Sequence, residues 1–133
     1  MDAATREFVR QRANCRCEYC RLPEAADEWP FHVEHIVARQ HGGDDRYENL
    51  CWACSRGNLY KGPNLASIDA ESGQVVSLFN PRMDLWIEHF SLVDARLIGI
   101  TAVGRVTAQL LRMNAARRVA LRSELIEQGQ FNA

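Results

Sequence analysis

The sequence has no long hydrophobic run and no segment of the kind that directs secretion. None of its 133 residues belongs to an apolar stretch near the ~18 residues that cross a membrane. Met1 to Glu7 mix acidic and basic side chains and include no apolar core of a signal peptide. We therefore expect no association with a membrane, and a cytoplasmic location follows as the default expectation.

The sequence also lacks an excess of charge of either sign. Its net charge is −1 at pH 7, whereas most nucleic-acid-binding proteins are clearly basic. An enzyme that contacts only a few phosphates needs just a local basic patch. Internal repeats and low-complexity tracts are absent as well, and hydrophobic residues make up 47% of the chain. These features predict a single globular domain over residues 1–133.

Apolar periodicity and turn signals predict a mixed α+β fold. The segment from Phe31 to Val37 alternates, with Phe31, Val33, His35 and Val37 on one face, which is typical of a strand, and Asn80-Pro81 ends another strand. Thr101 and Asn114 are predicted as the N-caps of two closing helices. The predicted elements are a helix 2–13, a strand 31–37, a helix 51–60, a strand 75–79, a hairpin 90–93 with 96–100, and helices ending at 113 and 128.

The segment from Val33 to Lys61 carries the most informative residues. Glu34 and His35 are adjacent, and Asn58 follows after a Gly-Gly turn. Imidazole is the side chain whose pKa suits activation of water. Carboxylate and amide oxygens are ligands that suit Mg²⁺. This set of side chains is what a single divalent cation needs to hydrolyse a phosphodiester.

The adjacency of Glu34 and His35 raises a geometric difficulty. Neighbouring residues of a regular strand point to opposite faces. The two side chains can therefore share one site only where the strand ends or is distorted. Gly42-Gly43, soon afterwards, favours such an ending.

This block resembles the HNH endonuclease family. The rest of the chain, with segments such as Leu78 to Arg82 and Gly99 to Thr101, is also similar to small bacterial HNH proteins. The matching motif residues are Glu34-His35-Ile36, Gly42-Gly43, Asn49-Leu50, Asn58 and Lys61.

The resemblance implies both a fold and roles for the motif residues. The expected fold is a ββα-metal (His-Me finger) core over about residues 15–65, with an N-terminal helix and a C-terminal extension of a hairpin and helices over about residues 66–133. His35 would be the general base. Glu34 and Asn58 would hold Mg²⁺ or Mn²⁺. Asn49 would pin the loop that orients the histidine.

The cysteines predict a second metal site that is one ligand short. HNH relatives with zinc carry two C-x-x-C pairs, and Cys17 and Cys20 form the first of them. Cys54 stands at the start of the second pair, but Gly57 occupies the position of the fourth cysteine. The sequence therefore favours the absence of an intact four-cysteine site.

Three alternatives stay open for this cluster. Cys51 completes the set, because it also forms a C-x-x-C pair with Cys54. In the second alternative, Cys15 or a nearby histidine completes the set. In the third, no zinc binds and the buried thiols pack as small hydrophobic groups.

Basic residues near the motif are the expected DNA contacts. Lys61 lies one helical turn after Asn58 and is predicted to steady a phosphate, and Arg39, Arg46 and Arg56 are further candidates. The closing helices form either a phosphate-contacting surface or a solvated face. Their basic residues are Arg105, Arg112, Arg117, Arg118 and Arg122.

The function predicted from these features is that of a metal-dependent DNA endonuclease. His35 would take a proton from water, and the metal would stabilise the leaving 3′-oxygen. Two alternatives belong to other classes. One is a catalytically degenerate HNH-fold module that binds DNA or protein, and the other is a structural zinc-knuckle adaptor.

Overall fold

The computed structural model describes all 133 residues, which form five α-helices and six strands in three separate two-stranded sheets. The predicted α+β class is confirmed. None of the helices combines the length and the apolar character that crossing a membrane requires. The helices are α1 (Ala3–Arg12), α2 (Ser55–Lys61), α3 (Trp86–His89), α4 (Ala102–Leu110) and α5 (Ala116–Glu127). The strands are β1 (His32–His35), β2 (Leu50–Ala53), β3 (Ala66–Ile68), β4 (Val75–Ser77), β5 (Phe90–Val93) and β6 (Arg96–Gly99).

The first half of the chain is built on an antiparallel hairpin of β1 and β2, followed by α2. Glu34 pairs with Cys51 and His35 pairs with Leu50 across this hairpin. The predicted helix 51–60 is therefore wrong over its first residues, which belong to β2. All four residues of β2 are buried, so the segment carries neither a helical nor an alternating pattern. The helix starts only after Cys54, whose sulfur accepts a hydrogen bond from the Gly57 amide.

The second half contains the two other hairpins. β5 and β6 pair as predicted, with Phe90 opposite Gly99. β4 is shorter than predicted, and its partner β3 was not predicted. β3 has only three residues and is flanked by polar turns, which leaves too short a pattern to detect.

The two closing helices differ in how they begin. Thr101 caps α4 as predicted, and its hydroxyl accepts a hydrogen bond from the Gly104 amide at 3.0 Å. The prediction of Asn114 as a cap is wrong. Its side chain instead bonds both the amide and the carbonyl of Leu97, each at 2.8 Å, so it anchors β6 and α5 begins at Ala116.

One cluster of 21 buried residues joins the two halves of the chain. Trp52 from β2 is fully buried, and Phe79, Leu97 and Leu125 from the later elements pack in the same cluster. The indole of Trp86 donates a hydrogen bond to the carbonyl of Tyr19 at 2.7 Å. The residues around the candidate site thus share a core with the C-terminal elements, which limits how far either part can move alone.

Candidate active site

A surface cavity lies at the end of β1. The strand ends at His35, where the chain leaves the hairpin. Glu34, His35 and Asn58 line one cavity of about 540 Å³. The end of the strand therefore places these neighbouring residues at one cavity, with the His35 ring partly exposed and the Glu34 side chain buried.

His35 forms a hydrogen-bonded chain with two residues of the following loop. Its Nε2 atom lies 2.7 Å from Oδ1 of Asp45, and the ring is 21% exposed. Arg39 donates to the same carboxylate oxygen, also at 2.7 Å. The hydrogen bond from His35, followed by the hydrogen bond and charge of Arg39, lowers the pKa of the Asp45 carboxyl. Asp45 was not predicted as a site residue, and its only signal was an acidic pair directly after Gly42-Gly43.

Asn49 fastens both ends of the loop that carries Asp45. Its amide group accepts from the Val37 amide at 2.9 Å and donates to the Val37 carbonyl at 3.0 Å. It also donates to the Asp44 carbonyl at 2.8 Å. Gly43 packs so closely here that a Cβ atom would lie 1.7 Å from the Val37 carbonyl oxygen. These contacts hold the loop at both ends, and the role of Asn49 in orienting the histidine stays a prediction.

Glu34 is buried against Lys61. The two side chains are 5% and 2% exposed, and Oε1 of Glu34 lies 2.7 Å from Nζ of Lys61. Lys61 also donates to the carbonyl of Ile36 at 3.1 Å. The expectation that Lys61 steadies a phosphate does not hold in this structure. The last turn of α2 directs its ammonium group inward, where it offsets the charge of a buried carboxylate.

The other oxygen of Glu34 is bound by Cys51. The Cys51 thiol donates to Oε2 at 3.0 Å. Burial, and then the negative charge of Glu34, raise the pKa of this thiol, which stays protonated as a donor. The alternative in which Cys51 completes a zinc site is therefore not realised. Cys51 and Cys54 do not lie on one helical turn, because β2 places the Cys51 side chain beside β1.

Three of the five cysteines form the only group of three or more His, Cys, Asp or Glu side chains that could hold a metal ion. The sulfur atoms of Cys17, Cys20 and Cys54 all lie within 4.8 Å of one another and are buried. Cys15 stays outside this cluster, so it does not supply the fourth ligand. We call these three residues the thiol cluster.

Arg118 from α5 lies against the thiol cluster. Its guanidinium donates to the sulfur of Cys20 at 2.8 Å and to that of Cys54 at 3.0 Å. Hydrogen bonds from Cys17 and Cys54, with a smaller effect of the Arg118 charge, lower the pKa of Cys20. Two of the three thiols therefore already contact a positively charged side chain of the protein.

The thiol cluster does not supply a complete tetrahedral zinc site. Structural zinc takes four protein ligands, and here three are present. A Cβ atom on Gly57 would lie 3.2 Å from the Cys54 sulfur, so the missing fourth side chain would have entered this cluster. Three thiols can still hold a metal ion, but Arg118 already directs positive charge at two of them.

The arginines near the cavity are exposed and paired with acids of the loop. Arg39 bonds Asp45, and Arg46 bonds Asp44 at 2.8 Å. Their side chains remain 68% and 76% exposed. Arg56 lies on another face of α2, where it borders a second cavity of about 460 Å³.

The arginines of the closing helices do not form one basic face. Arg105 makes two hydrogen bonds to Asp69, at 3.0 and 2.9 Å. Arg122 is 2% exposed and donates to two backbone carbonyls, and Arg118 contacts the thiol cluster. Neither a phosphate-contacting surface nor a solvated face describes this set, because Arg118 and Arg122 point inward and Arg105 is paired with acids. Arg112 and Arg117 are the exposed members.

The comparisons with known proteins concern the same part of the chain. Residues 17–63 match the HNH endonuclease family. This HNH segment contains the thiol cluster, the loop pinned by Asn49 and the cavity residues, so the resemblance inferred from the motif is confirmed. No curated protein and no solved structure matches the chain. The HNH segment indicates a nuclease or a nucleic-acid-binding module.

Proposed function

We propose that this protein is a metal-dependent DNA endonuclease in which His35 is the general base. The observation that carries the proposal is the cavity at the end of β1. There an imidazole with no protein partner at Nδ1 shares one cavity with Glu34 and Asn58. β1, β2 and α2 would then be the ββα-metal core.

The donor groups of the cavity fit a divalent cation. Oε1 of Glu34 is buried and lies 2.7 Å from the Lys61 ammonium, so a divalent cation would take the place of that ammonium at the carboxylate. Carboxylate and amide oxygens are suitable ligands for Mg²⁺ or Mn²⁺. Glu34 and Asn58 would hold the ion. When bound, it would neutralise the charge that develops on the phosphate and on the leaving 3′-oxygen.

The other steps of the reaction are assigned to side chains near the cavity. His35 accepts a proton at Nδ1 from the water that attacks phosphorus. The new oxygen–phosphorus bond forms opposite the bond to the 3′-oxygen. That second bond breaks, and the leaving 3′-oxygen takes a proton from solvent. Asn49 keeps the loop in place, and Arg39 and Arg46 supply exposed positive charge near the cavity. The resemblance implies products with 5′-phosphate and 3′-hydroxyl ends.

A second candidate is a non-catalytic HNH-fold module that binds DNA or protein. The specific observation in its favour is the ion pair between Glu34 and Lys61, because the carboxylate that should hold the metal is already neutralised. A structural zinc-knuckle adaptor is less well supported, since the thiol cluster offers three donors.

Cleavage of supercoiled plasmid with Mg²⁺ or Mn²⁺ separates these candidates. We expect the wild-type protein to nick the plasmid and His35→Ala to lose at least about 100-fold in rate, because general-base catalysis typically contributes that much. His41→Ala is the matched control, since His41 is an exposed histidine on the same loop. Cleavage that survives in His35→Ala would remove this residue from its role. A wild-type protein that binds DNA without cleaving it would favour the module.

A further inference from the structure

We propose that Asp45 is the positioning residue of His35, and this inference rests on the proposed nuclease function. Asp45 holds the Nε2 side of the imidazole and so keeps Nδ1 available to accept a proton. The Nε2 to Oδ1 distance is 2.7 Å, which is a short contact between an imidazole and a carboxylate.

A hydrogen bond to a carboxylate fixes the tautomer of the ring. Ionised Asp45 can only accept, so Nε2 of neutral His35 must carry the hydrogen. The lone pair then resides on Nδ1, which has no partner within the protein. An imidazole with the opposite tautomer would present an N–H at that position and could not act as a base.

The position of Asp45 is itself well defined. Arg39 donates to the same oxygen at 2.7 Å and helps to keep the carboxylate ionised. The preceding residue, Asp44, is fastened through its carbonyl to Asn49. Asn49 also binds Val37, two residues after His35. The loop thus returns the carboxylate to the ring from a distance of ten residues along the chain.

Stabilisation of the fold does not explain why Asp45 is held against His35. The Asp45 side chain is 51% exposed, and exposed ion pairs contribute little to folding. Removal of the carboxylate should therefore leave the protein folded. The consequences for the His35 ring can then be measured without interference from unfolding.

The first test is the tautomer of His35, observed by NMR of protein with ¹⁵N-labelled histidine at a pH where the ring is neutral. The His35→Ala spectrum identifies the His35 signals among the four histidines. We expect the Nε2–H form to predominate in the wild-type protein and the Nδ1–H form to gain population in Asp45→Ala. Asp45→Glu should restore the wild-type pattern, because its carboxylate can only accept the hydrogen bond, whereas Asp45→Asn should not, since its amide NH2 group can donate to Nε2. Glu48→Ala, which removes an exposed carboxylate from the same loop, should change nothing.

The second test is the division between kcat and KM in plasmid cleavage. Asp45→Ala should lower kcat by about 10- to 100-fold with little change in KM, because a misplaced base slows the chemical step and not DNA binding. Asp45→Glu should recover most of this loss, and Asp45→Asn should not. An unchanged tautomer or an unchanged kcat in Asp45→Ala would overturn the role. If the wild-type protein does not cleave DNA, the nuclease proposal fails, and the role of Asp45 in catalysis fails with it. The NMR result still decides whether Asp45 sets the tautomer.

Discussion

The thiol cluster and the cavity at the end of β1 both place a protein cation beside groups that hold metal in HNH relatives. Arg118 donates two hydrogen bonds to the thiol cluster from α5, outside the HNH segment. Lys61 lies within the segment, and its Nζ atom is 2.7 Å from Oε1 of Glu34. Arg118 thus reaches the thiol cluster from a distant element, whereas Lys61 pairs with a carboxylate of its own segment, at a cavity that also holds His35 and Asn58.

From this difference we infer that the two regions have different roles, packing for the thiol cluster and cation binding for the cavity. The thiol cluster is buried, lacks a fourth donor and is connected to the C-terminal extension by Arg118. We interpret it as a packing contact that is stable without zinc. The cavity is lined by His35, Asn58 and Glu34, and the Glu34 carboxylate there is paired with a single lysine that a divalent cation could replace. Single substitutions can test the role of each region.

The largest effect is expected from Gly57→Cys. The new thiol would enter the thiol cluster as the missing fourth ligand, so zinc affinity should rise at least about 100-fold. Competition with a chromophoric zinc chelator measures the affinity, and metal analysis of the purified protein gives the stoichiometry. Gly57→Ala adds a Cβ atom without a ligand and is the control. A wild-type protein that already binds one zinc as tightly as Gly57→Cys would contradict our interpretation of the cluster.

The next effect is the loss of stability in Arg118→Ala. This change removes the cation that satisfies two buried sulfur atoms, and we expect it to cost about 3 kcal/mol of unfolding free energy. Urea unfolding monitored by tryptophan fluorescence measures the difference. Arg117→Ala is a matched control, because Arg117 is 80% exposed and belongs to the same helix. Equal stability of the two variants would mean that Arg118 does not hold the cluster together.

The smallest expected effect is a change in Mn²⁺ affinity when Lys61, the partner of Glu34, is replaced. Lys61→Gln removes the ammonium that competes with a divalent ion, so affinity for Mn²⁺ should increase by about 10-fold. Lys61→Arg retains the positive charge and should not show this increase. Titration of Mn²⁺ followed by electron paramagnetic resonance gives the affinity of each variant, with circular dichroism to verify that it is folded. Unchanged Mn²⁺ affinity in a folded Lys61→Gln variant would separate Lys61 from the metal site.

Local sequence patterns predicted the parts of the fold that depend on near neighbours. The β5–β6 hairpin and the Thr101 cap follow from turn residues and from a side chain that binds its own helix. Asn114 shows where this logic fails. It is a suitable cap by residue type, but β6 offers two backbone partners that no local pattern reveals.

The candidate site was predictable in its residue types but not in its pairings. Glu34, His35 and Asn58 were identified from their chemistry and spacing, and they line one cavity. The burial of Lys61 depends on the orientation of the last turn of α2 against β1. The contact of Arg118 with Cys20 spans 98 residues along the chain, and only the packed structure brings them together.

The dependence of plasmid cleavage on Mn²⁺ concentration, compared between wild-type protein and Asn58→Ala, tests the central claim most directly. We predict that the wild-type protein cleaves plasmid only when Mn²⁺ is present. In Asn58→Ala the Mn²⁺ concentration for half-maximal rate should rise about 10-fold or more, because one of two protein oxygens is lost. Cleavage without any divalent ion, or the same Mn²⁺ dependence in both proteins, would contradict the claim that this cavity is a metal-dependent nuclease site.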